Sequence, residues 1–188
     1  VPEGPGAYDN MSGGAMVMEA FHHFAEHRPA RTMEFIWFGS EEKGLVGSQN
    51  YVKSHEGEMG RHVFNLNVDL AGQLLGGNVL GVTADPTVCV ELKNLMEENQ
   101  LGVTIKNQVW ASDSNTFAWK GVPALTLNRD GFGMHTRHDK VEYISPRALA
   151  EGAKTLCTAA AWVGNEPELS FVREIPEDMK KELEKYFA

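Results

Sequence analysis

The sequence predicts an α/β protein, a three-layer α/β/α sandwich in which helices cover both faces of a mixed, mostly parallel central sheet. Short apolar runs rich in β-branched and aromatic residues alternate along the chain with longer segments whose apolar residues recur at helical spacing. Turn residues, above all glycine, separate these segments. A chain of 188 residues has the size of one domain, and we expect residues 1–188 to form a single domain.

The first part of the chain supplies four elements. Residues 12–27 carry an apolar face at helical spacing and predict an amphipathic helix. Residues 31–38 are mostly apolar and aromatic and predict a buried strand. Residues 45–52 predict a short helix. Residues 62–70 predict a second strand, which ends near Asp69.

The second part of the chain continues the alternation of strands and helices. Glycine pairs, proline at helix starts and helical spacing of apolar residues set the boundaries. Residues 165–188 are predicted to form a charged tail that contains a helix from residue 176 onward. Before this tail, strands are predicted at residues 78–83, 103–109 and 122–127, and helices at residues 86–98, 112–120 and 146–163.

Composition excludes some classes of function. The apolar content of 42% and the charged content of 23% are typical of a globular protein, and the net charge of -9 argues against a nucleic-acid partner. The sequence contains no run of about 18 apolar residues, so it predicts no membrane-spanning helix. Cys89 and Cys157 lie on the apolar faces of predicted helices, so we expect buried free thiols and no disulfide framework.

Acidic and imidazole side chains recur at predicted loops and strand ends. The positions are Asp9, the pair Glu41 and Glu42, Asp69, and His135. Open α/β sheets bind ligands at the carboxyl ends of their strands, and two adjacent carboxylates there repel each other unless a cation or a proton intervenes. Mixed Asp, Glu and His ligands without Cys suit a hydrolytic metal site, in which Glu42 would bind the metal and Glu41 would stay free as a base. A solvated acidic turn is the alternative for the glutamate pair taken alone.

Five segments resemble, in order, the successive motifs of the co-catalytic zinc aminopeptidases. This is the family of the bacterial secreted leucine aminopeptidases, with glutaminyl cyclases and the transferrin-receptor ectodomain as relatives. The segments are PGAYDNMSG at 5–13, FGSEEKGLVGS at 38–48, NLNVDLAG at 65–72, SDSNTF at 112–117 with GVPAL at 121–125, and HTRHD at 135–139.

The resemblance implies a zinc exopeptidase fold and a zinc-dependent aminopeptidase that acts on peptides with an apolar N-terminal residue. It implies two zinc ions, with Asp9 as the carboxylate between them. Glu42 and His135 would complete one zinc site with Asp9, and Asp69 would bind the other zinc. Glu41 matches the general base that takes a proton from the attacking water.

The chain departs from the family's pattern in two places. The family carries a His-x-Asp motif shortly before the segment that matches residues 1–6, and its histidine binds zinc. We therefore expect an N-terminally truncated chain in which the zinc bound by Asp69 is short of one ligand. Several relatives also carry an oxyanion-holding tyrosine at the position of Met134. Met134, Phe117 and Phe132 are candidates for an apolar substrate pocket, with plain core packing as the alternative.

Other interpretations of the sequence remain open. One is a glutaminyl-cyclase-like or carboxypeptidase-like relative, another is a non-catalytic binding module of the same fold, and a third is an enzyme that is inactive as this chain. Asp113 is predicted to cap a helix or to orient the site. His138 and Asp139 are predicted to form a solvated loop or a pair behind the metal ligands. The sequence predicts neither the oligomeric state nor the cellular location.

Overall fold

Four strands form one mixed sheet in the part of the chain that the computed structural model describes, residues 4–187. They are β1 (Asn65–Val68), β2 (Asn78–Thr83), β3 (Val103–Asn107) and β4 (Ala124–Arg129), and their spatial order is β1-β4-β2-β3. β4 runs parallel to β1 and antiparallel to β2, while β3 runs parallel to β2. The predicted mixed, mostly parallel sheet is confirmed.

Helices cover both faces of this sheet. One face carries α1 (Ser12–Glu26), α3 (Pro86–Glu98) and α5 (Pro146–Asn165). The other carries α2 (Val46–Ser54), α4 (Ser114–Trp119) and α6 (Glu177–Phe187). Because helices lie on both sides, every residue of the two central strands, β2 and β4, is buried. The predicted three-layer α/β/α sandwich is therefore confirmed.

The larger core lies between the sheet and helices α1, α3 and α5. Leu92 of α3 and Leu156 of α5 pack there against Leu80 and Leu125 of the central strands. Each such leucine contributes roughly 1.5–3 kcal/mol through burial. The α1 and α5 helices approach closely at Gly152, where an added Cβ would lie 2.9 Å from the Cε atom of Met16.

The charged tail packs onto the opposite face of the sheet. Met179 and Leu183 of α6 are 5% and 0% exposed, and they lie in one cluster with Ala118 of α4 and Ala124 of β4. The helix that the sequence predicts in this tail is present, and its apolar edge packs against α4 and β4.

The predicted strand at residues 31–38 is absent, and this prediction was wrong. The segment is extended, and its side chains alternate: Met33 and Phe35 pack on the larger core, whereas Glu34 accepts a 2.6 Å hydrogen bond from the Tyr51 hydroxyl on the other side. Side chains that point alternately to two sides are also typical of a β-strand. A strand also needs a hydrogen-bonded neighbour, and within residues 4–187 no strand pairs with this segment.

Residues 31–38 instead form one wall of an open cleft of about 1250 Å³. The edge strand β1 and the helices α1 and α5 also line this cleft. β1 and β3 are shorter than the predicted strands at 62–70 and 103–109.

The two cysteines are free, as the sequence predicts, and both are partly buried. Burial raises the pKa of the thiols of Cys89 and Cys157 to about 11, so both stay protonated at neutral pH. None of the helices in the described part of the chain combines the length and the apolar character that crossing a bilayer requires.

Candidate metal centre

Four loops bring the predicted site residues to the edge of the sheet where β1 and β4 end. Asp9 lies in the turn Ala7–Met11 before α1, and Asp69 directly follows β1. Glu41 and Glu42 lie in a short 3₁₀ turn that ends at Lys43. His135 lies in the loop after β4. This placement follows the rule that ligands of open α/β sheets bind at the carboxyl ends of strands.

Three of these side chains point at one another. The Nε2 atom of His135 lies 2.9 Å from Oδ2 of Asp9 and 2.5 Å from Oε1 of Glu42. All three ligand atoms lie within 4.8 Å of one another. Zinc binds nitrogen and oxygen ligands at about 2.0–2.2 Å, so ligands of one ion lie within roughly 4 Å of each other. With small side-chain adjustments, Asp9, Glu42 and His135 therefore fit a single cation.

In the described part of the chain, no lysine or arginine is paired with the negatively charged carboxylates of the site. Burial raises the pKa of Glu41 to about 7, and the nearby Asp69, Asp113 and Glu42 add to this effect. Burial and the adjacent Glu42 raise the pKa of Asp9 to about 6. A divalent cation would remove this repulsion and keep the carboxylates ionised.

Asp69 is held by a relay of side chains behind the site. Its Oδ2 atom accepts a 2.6 Å hydrogen bond from Ser112, whose hydroxyl oxygen in turn accepts one of 2.7 Å from the Asn67 amide. Burial raises the pKa of Asp69, whereas the bond from Ser112 lowers it. Asp69 lies outside the cluster of Asp9, Glu42 and His135, yet its charge raises the pKa of both Asp9 and Glu41. It therefore stands close beside that cluster.

A match to a family model shows to which protein family this chain belongs. The model of the family described as Peptidase family M28 matches residues 1–160. The chain belongs to peptidase family M28.

Individual relatives agree with this assignment. A probable leucine aminopeptidase of Arthroderma benhamiae is 28% identical in an alignment 186 positions long, which covers 90% of this chain and 49% of the relative. An aminopeptidase of Pseudomonas aeruginosa is 39% identical over 79 residues, which are 42% of this chain and 15% of the relative.

Solved structures of aminopeptidases share the fold. An aminopeptidase from Aneurinibacillus sp. superposes with a TM-score of 0.80 at 28% identity, covering 92% of this chain and 43% of that protein. A zinc aminopeptidase from Bacillus subtilis superposes with a TM-score of 0.78 at 28% identity, covering 96% of this chain and 47% of that protein. The M28 chain thus spans about half the length of the relatives that it matches along most of its own length.

Asp113 of the M28 chain does not cap α4, so the interpretation as a helix cap was wrong. It occupies the position before the helix without accepting a hydrogen bond from a helix amide. Its Oδ1 atom instead accepts a 2.5 Å bond from the buried hydroxyl of Ser48, which also lies 2.9 Å from the Thr116 hydroxyl. Asp113 is 8% exposed, and its charge contributes to the raised pKa of Glu41. This link between α2 and α4 has no signal in the sequence.

The three candidates for the substrate pocket lie in different surroundings. Phe132 and Met134 are 48% and 43% exposed, on the loop that also carries His135. Phe132 packs edge to face against Tyr143, with the ring centroids 4.7 Å apart. Phe117 is 3% exposed and lies in a core cluster with Val122. Phe117 also borders the open cleft that residues 31–38 line, and its place in a substrate pocket stays a prediction.

The main chain has positive φ angles at or next to three of the site residues. Ser40 before Glu41, Leu70 after Asp69, and His135 itself have φ angles of 61°, 64° and 60°. Non-glycine residues seldom adopt this left-handed region, and each such residue costs about 1–3 kcal/mol, which favourable contacts around it must offset. The loops of this site are therefore held in shape by their contacts.

For Asp139 the structure contradicts one of the two sequence predictions, the solvated loop, and leaves the other, a place behind the metal ligands. The predicted solvated loop does not exist at this position, since Asp139 is 2% exposed. Its carboxylate accepts hydrogen bonds from the main-chain amides of Tyr8 and Asp9. An aspartate four residues after a metal-ligand candidate was visible in the sequence, but nothing there indicated which segment it faces. His138, by contrast, is exposed.

Proposed function

We propose that this M28 chain carries the catalytic centre of a zinc-dependent aminopeptidase that hydrolyses the N-terminal peptide bond of peptides. One observation carries the proposal: the ligand atoms of Asp9, Glu42 and His135 converge on one point, with the unpaired carboxylate of Glu41 on the same turn. The names of the relatives support it, since a similar chain from Bacillus subtilis is described as a zinc aminopeptidase.

Each site residue then has a distinct role. Asp9, Glu42 and His135 would hold one zinc ion, and Asp69 would offer a carboxylate to a second ion, with Asp9 available to both. Bound zinc supplies Lewis acidity, which lowers the pKa of a water molecule and stabilises the developing oxyanion. Glu41 accepts the proton of the attacking water and passes it to the leaving amine.

The surroundings of the site support a peptide with an apolar N-terminal side chain as substrate. Phe132 and Met134 expose apolar surface on the His135 loop, and such surface favours an aliphatic side chain over a charged one. The acidic groups Asp9, Glu41 and Asp69 favour a substrate with a free, positively charged α-amino group.

A set of matched peptides tests the proposal. The zinc-loaded protein is incubated with a leucine-initiated peptide, with its N-acetylated form, and with a peptide that starts with glutamine. We expect release of leucine from the free peptide only, loss of the activity with a chelator, and its return with zinc. Cleavage of the acetylated peptide from its carboxyl end would contradict the proposal and indicate a carboxypeptidase. Cyclisation of the glutamine peptide would contradict it and indicate a glutaminyl cyclase. Binding of peptides without turnover would indicate a binding module.

A further inference from the structure

Asp139 accepts hydrogen bonds from three consecutive main-chain amides of the turn that carries Asp9. Its Oδ1 atom accepts a 2.5 Å hydrogen bond from the amide of Tyr8, and its Oδ2 atom accepts one of 3.0 Å from the amide of Asp9. Its main-chain oxygen accepts a longer bond, 3.4 Å, from the amide of Ala7. Successive amides that point to one side form a concave site for an anion, and here the anion is a side chain of the protein itself.

Asp139 and His135 belong to one tightly closed loop. The amide of Thr136 donates to the oxygen of Gly133 at 3.0 Å, and the amide of Asp139 donates to the oxygen of Thr136 at 3.2 Å. Gly133 has a φ of 87°, and an added Cβ would lie 2.9 Å from the oxygen of His138, so the turn requires glycine. These bonds fix the position of Asp139 relative to His135.

The turn that carries Asp9 has other anchors, but they hold its neighbours. The hydroxyl of Tyr8 donates to the main-chain oxygen of Arg129, and the hydroxyl of Ser12 donates to the oxygen of Tyr8 at 2.7 Å. The side chain of Asn10 donates to the oxygen of Val68 at 2.8 Å. The amide of Asp9 has Asp139 as its partner. The direction in which the Asp9 carboxylate leaves the main chain therefore depends on Asp139.

We propose that Asp139 is a positioning residue of the metal centre, which fixes the Asp9 turn to the His135 loop so that both offer their ligand atoms to the same cation. The inference rests on the proposed zinc site, and it adds a residue that would not touch the metal. Hydrogen bonds to a buried carboxylate are charge-assisted, so two of them hold the turn more firmly than bonds to a neutral acceptor. The Nε2 atom of His135 lies 2.9 Å from the carboxylate of Asp9, so the turn and the loop bring these two ligand atoms together.

The substitution Asp139→Asn tests this role with little change in volume. Asparagine retains one acceptor oxygen but turns its amide group toward the second main-chain amide, so one hydrogen bond is replaced by a contact between two donors. We expect zinc affinity, measured by competition with a chelating indicator, to fall about tenfold to one hundredfold, the usual effect of removing a partner behind a metal ligand. The rise in melting temperature on zinc addition should shrink accordingly.

Asp85→Asn is the matched control. Asp85 also accepts a main-chain amide, that of Thr87, at 2.9 Å. It follows β2, whose last residue Thr83 pairs with Ala124 at the start of β4, so it lies at the edge of the sheet opposite the site. This variant should lose some stability and retain the zinc affinity of the unchanged protein.

The outcomes separate this inference from the proposed function. Unchanged zinc affinity in Asp139→Asn, with normal zinc binding in the parent protein, would overturn the positioning role alone. A parent protein that binds no zinc would contradict the proposed function and the inference together. If Asp139→Asn does not fold, Gly133→Ala distorts the same loop while every hydrogen-bonding group remains, and an unchanged zinc affinity in that variant would equally overturn the inference.

Discussion

The imidazole Nε2 of His135 lies 2.9 Å from the carboxylate of Asp9, although the two residues come from loops at opposite ends of the M28 match. Glu42 joins them from a third loop at 2.5 Å. Such convergence of potential ligands would be electrostatically unfavourable without a positive charge among the acids. The relationship therefore ties the metal chemistry of the site directly to the fold.

Asp9→Ala should abolish zinc binding at the centre, because Asp9 is the proposed ligand shared by both ions. We expect the zinc content, measured by atomic emission after zinc loading and desalting, to drop to background. Asp85→Ala removes a carboxylate at the opposite edge of the sheet and should retain the full zinc content. An Asp9→Ala protein with the same zinc content as its parent would remove Asp9 from the site.

Glu41→Gln should abolish turnover while zinc stays bound. Glutamine has nearly the same shape but cannot accept the proton, and losing a general base costs about 10²- to 10⁴-fold in rate. Steady-state kinetics on a leucine-initiated peptide, together with zinc analysis, would check both halves of this expectation. Glu184→Gln, on the exposed side of α6, serves as the control. Retained turnover in Glu41→Gln would remove Glu41 from its role.

The stability of the metal-free protein should decrease as the pH rises toward neutrality. The pKa of Glu41 is raised from 4.5 to about 7 and that of Asp9 from 3.8 to about 6. A carboxyl group with a higher pKa in the folded chain binds protons more tightly when folded. Its stabilising contribution is full below the ordinary pKa and is lost as the pH passes the raised one. The window therefore runs from about pH 4 to about pH 7.

Urea unfolding in the presence of a chelator, at several pH values in this window, would measure the effect. Glu41→Gln should show a smaller decrease across the same range, because glutamine does not titrate. Saturating zinc should restore stability at neutral pH, since it binds the ionised carboxylates of the folded chain only. A metal-free protein whose stability increases across this window would contradict the assignment.

Ser48→Ala should destabilise the protein even though it removes a single oxygen. The hydroxyl of Ser48 is fully buried and donates to the buried carboxylate of Asp113, which would lose this partner. A buried polar group left without its partner costs about 1–3 kcal/mol. Ser54→Ala, at the exposed end of the same helix, should change the free energy of unfolding very little. Equal stability of the two variants would argue that the bond to Asp113 is unimportant.

Leu183→Ala should show that the C-terminal helix is part of the domain core. Leu183 is 0% exposed, and replacing a buried leucine by alanine costs about 2–5 kcal/mol. We expect a single cooperative unfolding transition at lower urea concentration. Lys181→Ala, on the exposed face of α6, is the control. A separate early transition that reports on the tail alone would indicate that α6 unfolds independently of the sheet.

Local patterns were sufficient for most of the architecture. The helical spacing in residues 86–98 and the proline at its start predicted α3 with the observed ends, because both signals act within the helix itself. The apolar run at 78–83 predicted β2 for the same reason. The prediction for residues 31–38 failed because a run of apolar and aromatic residues indicates only burial, whereas a strand also requires a hydrogen-bonded neighbour that no local pattern reveals.

The sequence by itself determined the inventory of the site: the residue types Asp9, Glu41, Glu42, Asp69 and His135, and their order in motifs that resemble those of a zinc peptidase family. The same resemblance also predicted that Asp9, Glu42 and His135 share one site, whereas tertiary structure alone decided what stands behind them. The burial of Asp139 against the Asp9 turn, the bond between Ser48 and Asp113, and the packing of Phe117 in the core all join segments distant in sequence. Such contacts depend on how the layers pack around the sheet, and the periodicity of one segment carries no information about its distant partner.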